Sequence, residues 1–237
     1  MAAANHLFQF KQFYIDQTDC PMRINTDGVL LGALASHDQA SSILDVGTGT
    51  GVIALMLAQR YTEAKIWGVE IDASAAQRAA DNFVHSPFFD RLSCVHQDVL
   101  SWDTDLLFDL IVSNPPFFLN ALKNPDQRRG VAKHANDELF DGLLFFSQAH
   151  LRPQGKLQLI IPFDLAEWLT KKALAYGLFC VGRVDVQSFN TSSAIRSILS
   201  FSNNATAEDR TKLIIYRDKG EHSEDYKKIL SPYFLAF

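Results

Sequence analysis

Two rhythms of apolar and polar residues alternate along this chain. Short runs dense in aliphatic and β-branched residues occur at Ser42–Val46, Lys65–Asp72, Leu92–Val99, Phe108–Val112 and Lys156–Pro162. Between them lie longer stretches with apolar residues at helical spacing: Val52–Arg60, the alanine-rich Ala73–Phe83 and Asp137–Ala149, with Asp164–Tyr176 following the fifth run. Strand and helix in alternation predict βα units and hence a mostly parallel, doubly covered sheet. After Tyr176 the rhythm changes. Phe179–Phe189, Ile195–Phe201 and Lys212–Arg217 read as strands joined by loops, which predicts an antiparallel edge.

Residues 1–40 precede the first βα unit and form a cover segment, leaving 41–237 as one compact domain. Within the cover, Phe8 to Ile15 alternates as a half-buried strand or short hairpin would. Thr26-Asp27-Gly28 then stands ahead of the apolar helix that begins at Val29. For Asp27 the first reading is helix capping; the second is a carboxylate facing a ligand pocket. Arg152-Pro153-Gln154-Gly155 reads as a turn, and the tail from Ser223 as a short helix packing back on the body. No internal repeat or interdomain linker interrupts the pattern.

A chain of 237 residues buries enough surface to need no covalent staple. Its three cysteines, Cys20, Cys94 and Cys180, have no metal-like spacing, so neither a disulfide framework nor a metal site is expected. Cys94 and His96 read as packing residues. The first residues lack a basic and apolar leader and no run reaches the length of a membrane span, so a cytoplasmic protein with no membrane partner is expected. The net charge of −5 argues against indiscriminate nucleic-acid binding. One local exception is Lys123, Arg128, Arg129 and Lys133, four cations against the single carboxylate of Asp126.

Candidate chemistry starts where the fourth run stops. Ser113-Asn114-Pro115-Pro116-Phe117-Phe118 ends a buried strand abruptly, because neither proline can donate to a ladder and each fixes its own φ. Two readings stand level on these residues alone. One is an ordinary strand exit closed by an Asx turn. The other is an amine clamp at the carboxyl edge of the sheet, where open α/β folds bind ligands. An exocyclic base amine is a poor nucleophile, since its lone pair is delocalised into the ring. The Asn114 side-chain oxygen and the Pro115 carbonyl could accept both N–H bonds and return that density to nitrogen. Pro116 stiffens the exit, and Phe117 could stack on the base.

Upstream, Asp45-Val-Gly47-Thr-Gly49-Thr-Gly51 runs from a strand into a helix. Its GxGxG spacing, with Val52 in the next place, does not match the pyrophosphate fingerprint, and no Lys-Ser/Thr follows for a P-loop. A ligand with an amino-acid end and a nucleoside end suits it better, with Asp45 near the ammonium group. Glu70 lies nineteen residues beyond Gly51, the place for a carboxylate on ribose hydroxyls. Asp98, ending the third run, could accept from an adenine amino group.

With the glycine loop, Glu70, Asp98 and Asn114-Pro115-Pro116-Phe117 in this order, the chain resembles the class I S-adenosylmethionine-dependent methyltransferases that act on amino groups. Phe10-Lys-Gln-Phe13, Met22-Arg-Ile-Asn-Thr-Asp27-Gly28, Leu55–Arg60 and the closing Tyr233-Phe-Leu235 narrow the resemblance to bacterial enzymes that methylate N6 of adenine-37 in a valine tRNA. The likeness runs over essentially the whole chain. It implies a Rossmann-like α/β fold with a seven-stranded, mostly parallel sheet and an antiparallel edge. S-adenosylmethionine is the implied cofactor, and the anticodon loop of a valine tRNA the implied partner, with no obligate protein partner. Phe117-Phe118 stand where that group more often has tyrosines. A phenylalanine after Asn-Pro-Pro also occurs in guanine-N2 rRNA methyltransferases, and protein-glutamine N5-methyltransferases use a similar clamp, so both remain as alternatives, with a non-catalytic cofactor-binding module behind them.

Overall fold

Runs that are apolar on both faces become the inner strands of one sheet. The computed structural model describes residues 6–18, 20, 23–116 and 125–237, with side chains throughout these except at 125–136. In chain order the elements are β1 (Leu7–Gln9), β2 (Tyr14–Asp16), α1 (Thr26–Leu34), β3 (Ser42–Val46), α2 (Val52–Arg60), β4 (Lys65–Glu70), α3 (Ala73–Val84) and β5 (Leu92–His96). They continue with β6 (Phe108–Ser113), α4 (Pro125–His150), β7 (Leu151–Pro162), α5 (Ala166–Leu174), β8 (Phe179–Gln187), β9 (Ala194–Ser202), β10 (Asp209–Ile214), β11 (Tyr216–Asp218), β12 (Glu221–His222) and α6 (Glu224–Leu230).

The main sheet has the order β10-β8-β9-β7-β6-β3-β4-β5. It holds eight strands, not the seven expected. The reversed strand is also not at an edge: β9 runs antiparallel to both β7 and β8, while β10 lies parallel to β8 on the outside. Burial explains the arrangement. β9 hides Ile198, Leu199 and Phe201 and so needs a neighbour on each side, whereas β10 exposes Asp209, Arg210 and Lys212, charges that suit an unpaired edge. At the opposite edge β5 buries only Leu92 fully. His96, read as a packing residue, is exposed there with Nε2 3.2 Å from the Ile71 carbonyl. Cys94 is half-buried, and burial pushes its thiol up to about 11.

One layer over the sheet contains α1, α2, α3, the β1–β2 hairpin and α6; Phe10, Ile15, Leu31, Leu55, Phe83 and Leu230 share its core. The other contains α4 and α5, with Phe108, Phe140, Leu144, Leu159, Leu169 and Phe201. The tail closes on the hairpin, the Lys11 amide donating to the Tyr233 carbonyl at 2.8 Å and the Phe234 ring resting 5.6 Å from that of Phe10.

Three local readings change. Asn25 caps α1, its Oδ1 accepting from the Gly28 amide at 2.8 Å, so Asp27 sits inside the first turn and is not the cap. The helix expected from Asp137 starts at Pro125, which places the backbone of Arg128, Arg129 and Lys133 on α4 and not in a loop. The turn expected at Arg152–Gly155 is a bulged start to β7, with Gln154 at φ 70° and a register shift opposite Phe108 and Leu110. Among the described residues no helix is long and apolar enough to cross a membrane.

Gly51 joins the glycine loop to α2 at φ 85°, and a Cβ there would lie 2.5 Å from the Phe83 ring. Left-handed backbone and overpacking each cost about 1–3 kcal/mol for an L-residue. Gly51→Ala should therefore lose about 2–4 kcal/mol in urea unfolding, with part regained when Phe83→Leu is added.

Candidate active site

The strand order reverses at β3, which has β4 on one side and β6 on the other. That switch point opens a crevice beyond the carboxyl ends of β3 and β6. Ser113 pins the two ends together, its Oγ donating to the Val46 carbonyl at 2.8 Å. The glycine loop leaves one end and Asn114 the other.

The loop is held from beneath. The Gly47 and Thr48 amides donate to the Val69 carbonyl at 2.8 and 3.2 Å, and Gly51 N closes a turn on the Thr48 carbonyl at 2.8 Å. Glu70 braces it from the side: Oε2 accepts from the Gly49 amide at 2.9 Å and Oε1 from the Asp72 amide at 3.0 Å. Asp45 lies fully buried behind the loop, with Oδ2 accepting from Thr48 Oγ1 at 2.7 Å and from the Ala54 amide at 3.2 Å. Its Oδ1 has no partner among the described residues. Burial, opposed by those two hydrogen bonds and reinforced by the charge of Glu70, pushes the Asp45 carboxyl up to about 7.

Two cavities meet at Gly47 and Asn114. The larger, about 330 Å³, is lined by apolar Val46, Val69, Ile71, Val99, Leu139 and Leu143 and by polar Glu70, Gln97, Asp98 and Asn114, with Pro115 and Pro116 at its rim. The smaller, about 40 Å³, lies between Gly47–Thr50 and the approach to α1, with Arg23, Asn25 and Gly28 on its wall. A Cβ added at Gly47 or Gly49 would meet nothing within 4 Å among the described residues, so bare backbone is presented there.

Gly47, Gly49, Glu70, Asp98, Asn114, Pro115 and Pro116 therefore converge on one crevice. Asp98 also caps the short turn after β5, its Oδ1 accepting from the Leu100 amide at 3.0 Å. Asp45 lines neither cavity and lies behind the loop, and Gly51 turns its bare side toward Phe83. Asp27 is absent from both linings and is paired with Arg196, Nε to Oδ2, at 2.7 Å. Phe117 and Lys123 lie outside the described residues, as do the side chains of Arg128, Arg129 and Lys133. Sequence reasoning passed over Arg23, Asn25, Gln97, Leu139 and Leu143. The two leucines are spaced i, i+4, a pattern that looks the same whether it faces a core or a ligand.

A family model described as "Methyltransferase small domain" matches residues 25–167. A protein of Pedobacter heparinus named tRNA1(Val) (adenine(37)-N6)-methyltransferase is 45% identical over 97% of this chain and 98% of its own. One of the same name from Bacteroides thetaiotaomicron is 39% identical over 98% of each. Among solved structures, one titled a predicted O-methyltransferase from Agrobacterium tumefaciens superposes with a TM-score of 0.67 at 18% identity, covering 87% of this chain and 96% of that one, a likeness of fold.

The carboxyl of Asp45 is raised from 3.8 to about 7, so the folded state holds a proton that the unfolded chain releases between those values. Its contribution to stability is full below pH about 4 and is lost as pH rises through about 7, a change of a few kcal/mol. Urea unfolding followed from pH 4 to 8 should show this decline in the native protein and a flatter profile in Asp45→Asn.

Proposed function

Because this chain belongs to the small-domain methyltransferases and, among them, to the tRNA1(Val) (adenine(37)-N6)-methyltransferases, we propose that it methylates N6 of adenine-37, beside the anticodon of a valine tRNA, from S-adenosylmethionine. The observation that carries the reading is Asn114, with Pro115 beside it, standing where the two cavities meet at the sheet's switch point.

The crevice fits an elongated donor. Apolar walls with Asp98 and Glu70 suit an adenosine in the larger cavity, where Asp98 accepts from the adenine amino group and Glu70 from ribose hydroxyls. Each Glu70 oxygen already takes one backbone N–H, and a carboxylate oxygen has a second lone pair for a hydroxyl. The bare backbone of Gly47 and Gly49 receives the middle of the donor without steric contact. Arg23, on the smaller cavity, supplies the cation for the amino-acid carboxylate. Asp45 acts through Thr48 and the start of α2, holding the loop in shape.

When bound, S-adenosylmethionine supplies a sulfonium methyl open to in-line attack. Asn114 Oδ1 and the Pro115 carbonyl accept the two N–H bonds of the target amine and turn its lone pair toward that methyl. Phe117, two residues past Pro115, is assigned to the face of the base, where stacking contributes roughly 1–3 kcal/mol. The donor would supply the methyl and retain the sulfur electron pair, and the proton displaced from the amine held by Asn114 and Pro115 would pass to solvent. Fixing amine and donor at attack distance can supply roughly 7–11 kcal/mol of the barrier, so positioning outweighs acid–base chemistry. A base in an anticodon loop reaches such a pocket without disrupting a stem. Lys123, Arg128, Arg129 and Lys133 provide the local positive charge for the RNA backbone in an otherwise acidic, cytoplasmic protein.

The test is mass mapping of unmodified valine tRNA after incubation with the protein and S-adenosylmethionine. One methyl on adenine-37 is expected; a methyl on guanine, on another base, or on no base rejects the reading. Asn114→Ala should lower kcat about 10²–10³-fold, as removal of one preorganised polar partner does, with donor affinity by calorimetry nearly unchanged.

A further inference from the structure

Asp27 and Arg196 lie 169 residues apart in sequence and meet at 2.7 Å, with both side chains partly shielded from water. Arg196 also donates from Nη1 to the Ile195 carbonyl at 2.9 Å, which fixes the guanidinium before it meets the carboxylate. Their placement separates this pair from an ordinary surface contact. Arg196 opposes Pro162 in the β7–β9 ladder, and Ser113 opposes Leu159 in the β6–β7 ladder. Arg196 is thus at the mouth end of the sheet, two strand spacings, or about 10 Å, from the strand that carries Asn114. Asp27 is next to Gly28. A Cβ added at Gly28 would sit 3.8 Å from Asn114 Nδ2 and 3.5 Å from Val52 Cγ1. The first turn of α1 is therefore the wall against which the amide of Asn114 rests.

We infer that the Asp27–Arg196 ion pair is a positioning device for the methyl-transfer step: it holds the first turn of α1 against Asn114, so that the amide keeps its oxygen toward the target amine. The inference rests on the amine-methylating reading above. α1 has nine residues, its N-terminal turn carries the Asn25 cap, and its buried residues run from Gly28 to Gly32. An arginine from the reversed strand ties down the end nearest the reacting atoms. When the pair is broken the turn can shift, the amide gains room to rotate, and donor and acceptor exchange places at the clamp. Misplacement by about 1 Å can lower a rate roughly 100-fold.

The experiment compares Asp27→Asn, Arg196→Gln, the double variant and Arg196→Lys, reading kcat, KM for tRNA, donor affinity by calorimetry and Tm. Expected are kcat values roughly 10-fold lower in each neutralised single variant, a double variant no worse than the lower single, and most of the rate kept in Arg196→Lys. KM, donor affinity and Tm should scarcely move. Full kcat in Asp27→Asn, or additive losses in the double variant, would overturn the inference. So would a loss of donor affinity that exceeds the loss of kcat. A raised KM for tRNA in Arg196→Gln with a silent Asp27→Asn would instead make Arg196 an RNA contact. A fall in Tm that accounts for the lost rate, or failure of Arg196→Lys to retain rate, would reduce the pair to a structural tie. If the native protein binds donor but methylates no adenine in the tRNA, the reading of the activity has failed, not the role of the pair.

Discussion

The parallel pairing of β3 with β6 is the constraint on which the rest of the molecule depends. Two segments that are far apart in sequence, the glycine loop and the Asn-Pro-Pro exit, face one another only because their strands lie side by side and end at the same level, Val46 opposite Ser113. The Ser113 hydroxyl on the Val46 carbonyl fixes that level. A parallel ladder is slanted and needs cover on both faces, and the two helical layers provide it with apolar side chains.

Carboxylates do much of the local shaping. The glycine loop leaves backbone N–H groups pointing away from any ladder, and such groups must find acceptors when buried. Glu70 takes the Gly49 amide and the Val69 carbonyl takes those of Gly47 and Thr48, while Asp45 accepts from the Thr48 hydroxyl and from the Ala54 amide in α2. Full burial of an acid whose two hydrogen bonds only partly offset the lost hydration raises its proton affinity, which is the condition of Asp45. The same acid that shapes the loop thereby makes its own ionisation unfavourable. Glu70 keeps contact with the larger cavity while it braces the loop.

The outer half of the sheet also reaches the mouth end. Inserting β9 between β7 and β8 brings the start of a reversed strand to the mouth end, where only carboxyl ends would otherwise stand. Arg196 arrives there by that reversal. On the other layer Lys172 pairs with both Asp137 and Asp141, and the Tyr176 hydroxyl donates to Asp141 at 2.5 Å. These contacts fix α4 to α5 and so present Leu139 and Leu143 to the crevice.

Local rules were enough for the alternation of strand and helix, the break at Asn114-Pro115-Pro116, the glycine loop and the carboxylate at Glu70, because each depends on periodicity, φ restriction or spacing within one βα unit. The strand count and the interior place of β9 were decided by packing, and the choice of Asn25 as the cap of α1 by one hydrogen bond to the Gly28 amide. Apolar strands look alike in sequence whichever neighbours they take, and several side chains near a helix start can cap it. The surroundings of Asp27, Asp45 and Gly51 also came from packing. A carboxylate or a bare glycine beside a loop faces either the ligand or the core, and which it faces depends on what folds over it: Phe83 over Gly51, the loop itself over Asp45, and Arg196, from the far end of the chain, against Asp27.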